Sequence, residues 1–297
     1  MKANTRIIRF FAGLAGLIVL LMAAFALLVP WVHTWGATDE EVRRSLPGDE
    51  LLDDPPVLWN HAVTVRAPVQ KVWPWIAQLG DRRGGFYSYM FIENLIAGER
   101  MYVNANRVVA ELQDPRPGTQ LIEEFLRVRD VEPGRWLLGE AVPELGIGWT
   151  WIWTLSPAGP DSTRLHVRAR IKPLGAMSEV PAAVGFLIDV GGFVMERKMI
   201  TGIKLRAEGR VEGAYVQPLE IVVWLLALAV GITAGVRYMR VRAWWEPLAV
   251  ALAAVLILLL FTFGQPPLWL RLLLDAGLLV GLWRTWGAKE RRSPERR

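Results

Sequence analysis

The sequence contains no cysteine among its 297 residues. This absence excludes disulfide bonds, a thiolate nucleophile and any metal site built on cysteine, and it leaves the redox compartment unassigned. Histidine is also scarce. His33, His61 and His166 lie too far apart for the ligand spacing typical of zinc sites. The sequence therefore predicts no metal site, and it gives no sign of a cofactor.

Motifs for nucleic-acid binding are missing as well, because there is neither zinc-finger spacing nor an aromatic-basic RNA motif. The net charge of +5 is unevenly distributed. Residues 33–217 hold 21 Lys/Arg and 24 Asp/Glu, a net charge of −3, and the rest of the chain has a net charge of +8. The basic surplus lies beside long apolar runs, where it orients membrane spans. We expect a membrane as the partner and no nucleic acid.

Hydrophobic residues make up 53% of the chain, and the mean hydropathy is +0.27, which is typical of membrane proteins. Apolar runs predict four transmembrane helices, at residues 10–32, 218–239, 247–263 and 267–286. A cleaved signal peptide is the alternative for the first run. It is not favoured, because the run is too long and lacks a small-residue cleavage site.

Basic residues cluster in the N-terminus 1–9, between the second and third predicted spans, and in the tail 287–297. The positive-inside rule then predicts a multi-pass plasma-membrane protein with both termini in the cytoplasm and residues 33–217 outside it. Within the last span, Arg271 and Asp275 are expected to form an ion pair. Small-xxx-small spacings at Gly231/Gly235 and Gly277/Gly281 suit helix packing within a chain or in a homo-oligomer.

Between the first span and the next pattern, residues 33–58 are acidic and rich in turn-forming residues, which predicts a linker. Residues 59–215 are predicted to form an α+β domain. It begins with a strand at 62–65 that ends at Ala67-Pro68, followed by a helix with an apolar face. Six further strands are predicted, at 107–111, 120–123, 125–131, 136–141, 149–155 and 164–171. A long helix follows from Pro181 to about Glu212.

Several segments resemble the START-like (SRPBCC) superfamily of polyketide cyclases and dehydrases and lipid-transfer domains, in particular its membrane-anchored bacterial members. The resemblance covers roughly residues 37–212. It rests on Gly48-Asp49-Glu50-Leu51, Ala67-Pro68, Val72-Trp73-Pro74-Trp75, Gly84-Gly85-Phe86-Tyr87-Ser88-Tyr89, Glu93-Asn94, Thr163-Arg164-Leu165 and Met195-Glu196-Arg197-Lys198-Met199.

The resemblance implies a helix-grip fold, in which a seven-stranded antiparallel sheet holds a long C-terminal helix over a cavity for an apolar molecule. The first functional hypothesis is therefore binding of a lipid or another hydrophobic small molecule. An alternative is a cyclase- or dehydratase-like enzyme. A third is a non-catalytic envelope protein that binds another protein and has a filled core.

The candidate catalytic residue is Glu93, working with Tyr87 or Tyr89 in proton transfer. The competing interpretation is an exposed carboxylate, or one that pairs with Arg82 or Arg83. Met195 and Met199 can form an adaptable wall for an apolar ligand or simply fill the core. The candidate ligand-binding residues are Trp73, Tyr87, Tyr89, Glu93, Trp151, Met195 and Met199.

Tryptophans alternate along one predicted strand, at 149, 151 and 153, and basic residues alternate along the next, at 164, 166, 168 and 170. One hairpin register places both sets on the outer face as a cation–π ladder, and we favour this register. A shift by one residue turns the tryptophans into the cavity. On the last helix, Glu196, Arg197 and Lys198 are expected to form a solvated face.

Overall fold

A computed structural model describes residues 3–97, 102–142, 146–174, 182–241 and 243–287. The chain divides into two compact units, one of residues 26–212 and one of residues 1–25 with 213–297. Most of the predicted basic tail, and Pro181 at the predicted start of the last helix, lie outside the described residues. Each unit is described separately.

The first unit is an α+β domain built on a six-stranded antiparallel sheet. Its strand order is β1-β6-β5-β4-β3-β2. The strands are β1 (Val57–Val65), β2 (Gln120–Ile122), β3 (Leu126–Glu132), β4 (Trp136–Ala141), β5 (Ile147–Gly159) and β6 (Ser162–Pro173). The helices are α2 (Asp39–Arg43), α3 (Val69–Ala77), α4 (Met90–Ala97) and α5 (Ala182–Ala207), and α1 (Ala3–His33) ends in this unit. Helices α3 and α5 pack against one face of the sheet, here called the inner face.

The predicted class, an antiparallel sheet with one long helix, is confirmed, but the sheet has six strands and not seven. The missing strand is 107–111, part of which forms a short 3-10 helix at Ala110–Leu112. The side chain of Gln78 explains the difference. It donates to the carbonyl of Arg107 and accepts from the N–H of Val109, so this backbone is bonded without a neighbouring strand.

The outer face of the sheet carries the segment 33–58 that was expected to be a linker. Helix α2 begins with a capping box between Thr38 and Glu41. Leu46 packs against Leu138 and Ile152 of the sheet. The linker interpretation is therefore wrong for the middle of this segment, which is a folded layer of the domain.

Arg168 holds that layer in place. Its guanidinium donates to Asn60 on β1, to the Asp49 carboxylate, and to the carbonyls of Glu41, Val42 and Arg44. The Arg168 side chain is only 3% exposed. A fixed fork of donors suits this arrangement, because each donor meets its own acceptor.

A second pair fixes the start of the same layer, since Arg164 donates to both carboxylate oxygens of Glu41 at 2.7 Å. This pairing lowers the pKa of Glu41 to about 2. Between the two arginines on β6, burial and the charges of Arg44 and Arg168 lower the pKa of His166 to about 3, so the imidazole is neutral.

The second unit is helical and contains α6 (Val216–Arg240), α7 (Trp245–Leu259, continued by a π-helical turn to Gly264) and α8 (Leu268–Gly287). Among the described residues, three helices are long and apolar enough to cross a membrane: Ile7–His33, Val216–Arg240 and Trp245–Gly264. The prediction of four spans is corrected to three, because α8 carries Arg271, Asp275 and Arg284.

The expected Arg271–Asp275 ion pair is also wrong. Arg271 on α8 lies 3.3 Å from the Glu220 carboxylate on α6, and it donates to the carbonyl of Pro266. Both carboxylate oxygens of Asp275 are buried with no hydrogen-bond partner among the described residues.

Candidate functional site

The register between β5 and β6 decides where the tryptophans point. Trp149 lies opposite Ile171, Trp151 opposite Ala169 and Trp153 opposite Val167. Directly opposed residues of antiparallel strands share a face. The tryptophans therefore lie on the inner face with the aliphatic residues of β6, and the arginines lie on the outer face. The predicted cation–π ladder is wrong.

The inner face, helix α4 and helix α5 enclose a cavity of about 620 Å3. Its wall is mostly aromatic and aliphatic. The lining residues are Trp59, Phe86, Ser88, Glu93, Tyr102, Ile122, Phe125, Ile147, Trp149, Trp151, Ile171, Ile188, Gly192, Met195, Glu196 and Met199.

An aromatic stack forms one wall of the cavity. The rings of Trp149 and Trp151 are 5.3 Å apart and nearly parallel, and Phe86 stacks on Trp151 at 5.7 Å. Phe125 meets Trp149 edge-on. Such contacts hold the rings in place, so the aromatic wall is supported by its own packing.

Glu93 is the exceptional residue of this lining. Its Oε2 atom is buried with no hydrogen-bond partner in the described part of the chain, and burial raises its pKa to about 7. The competing interpretation of an exposed or arginine-paired carboxylate is wrong. Arg82 pairs with Glu123, and Arg83 donates to main-chain carbonyls.

The side chains of the two tyrosines expected beside Glu93 make other contacts. The Tyr87 hydroxyl donates to the carbonyl of Trp75 and accepts from Gln78, and its burial raises its pKa. Tyr89 packs under the ammonium group of Lys198. Neither Tyr87 nor Tyr89 lines the cavity, and Trp73 does not line it either. Glu93, Trp151, Met195 and Met199 do.

Tyr102 occupies the place expected for Tyr87 or Tyr89. The side-chain amide of Asn94 accepts from the Tyr102 N–H and donates to its carbonyl, which fastens Tyr102 beside α4. Burial, with the nearby charges of Asp81 and Glu93, raises the pKa of Tyr102 to about 12. The Glu93-Asn94 pair in the sequence was a usable signal, but it did not reveal which segment Asn94 would bind.

A second acid, Glu196, lines the cavity and was expected on a solvated face. It is only 3% exposed, and its Oε1 atom lies 2.7 Å from Nδ1 of His61. Nε2 of His61 lies 2.6 Å from the carbonyl oxygen of Val32. Because a carbonyl only accepts, Nε2 carries a proton, and one further proton is shared between Nδ1 and Glu196.

The neighbours of Glu196 are also packed and not solvated. Lys198 is 5% exposed and pairs with Glu212. The guanidinium of Arg197 lies over the ring of Trp35 at 4.6 Å, and burial lowers its pKa to about 10. The solvated-face prediction is wrong for all three residues, because β1 and the end of α1 cover Glu196 and Arg197, and Tyr89 covers Lys198.

A further concavity of about 580 Å3 lies beside the start of α3 and the end of α5, and its lining mixes polar and apolar residues. Glu208, which lines it, pairs with Lys204 and Arg210. No group of three or more histidine, aspartate or glutamate side chains that could hold a metal ion occurs within the described residues.

Comparison with known proteins gives only distant similarities. No protein-family model and no curated protein matches the chain. The di-domain ARO/CYC BexL from the BE-7585A biosynthetic pathway is 10% identical, with a TM-score of 0.30, over 51% of this chain and 46% of that one. A conserved protein from Geobacillus kaustophilus is 12% identical, with a TM-score of 0.27, over 50% of this chain and 94% of that one.

Norcoclaurine synthase from Thalictrum flavum is also 12% identical, with a TM-score of 0.29, over 51% of this chain and 94% of that one. The chain spans less than half the length of BexL. At these values none of the three structures defines the family, the ligand or the activity of this chain.

Proposed function

We propose that the sheet-and-helix domain is a START-like domain that binds a lipid or another hydrophobic small molecule in the aromatic cavity. The observation that supports the proposal is the cavity volume of about 620 Å3 together with its largely apolar lining. Small-molecule sites usually occupy a few hundred to a thousand cubic ångströms and are lined in this way. The size of the cavity also disfavours an interaction module with a filled core.

We further propose that the apolar helices anchor the chain in the plasma membrane, where hydrophobic ligands concentrate. Basic residues before Phe10 and after Val236 favour the cytoplasmic side for both of those ends. Residues 33–217 then lie outside the cytoplasm. Residues 33–217 lie on the same side whether or not α8 crosses the membrane. The side on which the C-terminus lies depends on whether α8 crosses it.

A second candidate function is acid–base catalysis, for example in a cyclase- or dehydratase-like reaction. It is supported by Glu93, whose pKa of about 7 allows it to accept or release a proton near neutral pH. Tyr102 shares the cavity and can donate a hydrogen bond to a substrate oxygen. Tyr102 replaces Tyr87 and Tyr89 in this proposal.

The proposal is tested by purifying the full chain from its host membranes into nanodiscs and identifying bound small molecules by mass spectrometry. The variant Ile188→Trp obstructs part of the cavity, because Ile188 lines it. The matched control is Val211→Trp, at an exposed position outside the cavity. We expect one class of hydrophobic molecule in the wild type and the control, and reduced recovery of it from Ile188→Trp. Equal recovery from all three proteins would refute cavity binding.

Catalysis is tested with the same preparations after a period of incubation. If Glu93 is a general acid or base, Glu93→Gln retains the unconverted substrate, which differs from the wild-type molecule in mass after a dehydration and in its fragmentation pattern after a cyclisation. Identical molecules in both proteins would support binding without conversion.

A further inference from the structure

The charge of the cavity lining has one sign. No lysine, arginine or histidine belongs to the lining within the part of the chain that the structure describes. The ionisable lining groups are the carboxyl groups of Glu93 and Glu196 and the phenol of Tyr102. A ligand with a buried anionic group would therefore meet acids and no cation.

Glu196 is already compensated. His61 supplies its hydrogen bond at 2.7 Å, and the shared proton makes the pair neutral as a whole, whichever atom holds it. Glu93 is different, because its buried Oε2 has no hydrogen-bond partner within the described ranges. The unsatisfied acidic group of the cavity is therefore at the α4 side.

Two donors in the same cavity also lack partners. The indole N–H groups of Trp149 and Trp151 are buried without a hydrogen-bond acceptor among the residues that the structure describes. Leaving a buried polar group unpaired costs free energy, so a ligand that satisfies it binds more tightly. A ligand would satisfy these three atoms if it placed a hydrogen-bond donor near Glu93 and a hydrogen-bond acceptor near Trp149 and Trp151.

We infer that the cavity takes an apolar molecule whose polar end is a hydrogen-bond donor, an amine or a hydroxyl group, and that it rejects molecules ending in a carboxylate or phosphate. The inference rests on the proposed function and adds a chemical class to it. An amine or hydroxyl donates to Glu93, and a hydroxyl oxygen can in addition accept from an indole N–H. A carboxylate can bond to Glu93 only while Glu93 keeps its own proton, which it releases above about pH 7, so the rejection applies above that pH.

The test uses three diazirine probes with the same alkyl chain, ending in an ammonium, a hydroxyl or a carboxylate group. The full chain in phosphatidylcholine nanodiscs is photolabelled with each probe, and labelled peptides are quantified by mass spectrometry. Labelling of cavity peptides from β5 and α5 is divided by labelling of α6 and α7. This ratio corrects for the different partitioning of the probes into the bilayer.

We expect the ammonium and hydroxyl probes to label the cavity at least about tenfold more than the carboxylate probe, the effect of one mispaired buried group. In Glu93→Gln the preference for ammonium over carboxylate falls toward one. In the control Glu111→Gln, at an exposed glutamate, it is unchanged. The comparison of probes on the wild type needs no variant, so a variant that fails to fold does not remove the test.

Equal cavity labelling by all three probes overturns the inference and leaves the proposed function intact. Cavity labelling no higher than in Ile188→Trp for every probe overturns the proposed function, and the inference with it. A preference for the carboxylate probe would also overturn the inference.

Discussion

Nδ1 of His61 and Oε1 of Glu196 lie 2.7 Å apart, with the two side chains 0% and 3% exposed. The pair connects β1 to α5 beneath the end of α1, because Nε2 of His61 bonds to Val32. Removing one partner of a buried pair leaves the other unsatisfied and lowers the free energy of unfolding strongly. Replacing both partners by apolar residues changes it much less.

We therefore expect Glu196→Leu to lower the free energy of unfolding by about 3 kcal/mol, since Nδ1 of His61 is left unpaired. Glu196→Gln should lose less, because an amide N–H can donate to the Nδ1 atom of neutral His61. Denaturant unfolding of the full chain, followed by tryptophan fluorescence, measures both. Equal losses in the two variants would argue against the shared-proton arrangement.

Two adjacent glycines of α5 provide a matched test of packing. A Cβ at Gly192 would lie 2.1 Å from the ring of Trp59, whereas a Cβ at Gly191 meets nothing within 4 Å. Gly192→Ala should displace Trp59 and weaken its bond to Asp189, with a lower melting temperature. Gly191→Ala should stabilise by up to about 1 kcal/mol through helix propensity. If both substitutions raise stability or both lower it, Gly192 does not pack against Trp59.

The raised pKa of Glu93 makes stability depend on pH. The folded protein holds the proton up to about pH 7, whereas the unfolded chain releases it near 4.5, so this residue destabilises the fold as pH rises through that window. The loss should reach about 2–3 kcal/mol above pH 7. Unfolding from pH 4 to 8 should show this decline in the wild type. In Glu93→Gln that part of the decline should be absent. If the wild type and Glu93→Gln show the same dependence of stability on pH, Glu93 is solvated in the folded protein.

Arg168 should be intolerant of lysine. One ammonium group cannot replace the five hydrogen bonds of the guanidinium, so Arg168→Lys should cost about 2–4 kcal/mol and expose residues 38–53 to proteolysis. The control is Arg129→Lys, whose side chain is 55% exposed and lies 3.6 Å from Glu140. It should change stability by less than about 0.5 kcal/mol. Equal protease resistance in wild type and Arg168→Lys would contradict the anchoring role.

The helical unit offers a test of which acid serves Arg271. Glu220→Gln removes the contact at 3.3 Å and should lower thermal stability in nanodiscs. Asp275→Asn should have little effect or stabilise, because neither Asp275 oxygen has a partner among the described residues. A larger loss of stability in Asp275→Asn than in Glu220→Gln would indicate that Arg271 pairs with Asp275, as expected from the sequence.

Much of the sheet could be predicted from local patterns. The alternation along β5 and β6 correctly showed which residues share a face of each strand. It could not show the register between the strands, because the connecting turn is compatible with either choice. Only packing on the inner face decides that Trp151 lies with Ala169.

The other errors share a cause. Residues 107–111 have strand-like composition, but a distant side chain, Gln78, bonds their backbone. Glu196 is one of three consecutive charged residues on a helix, which indicates a solvated face unless another element covers it. The covering elements are 135 and 164 residues away in sequence. Charges satisfied by remote partners cannot be distinguished locally from charges that face water.

The folded layer on the outer face changes how far the domain can move. A flexible linker of about two dozen residues would have given the sheet a reach of about 25–30 Å from His33. Because the layer is fastened to β6 and His33 is bonded to Asp189, that slack is removed. The sheet is then held at a fixed distance from the end of α1 and cannot swing away from it.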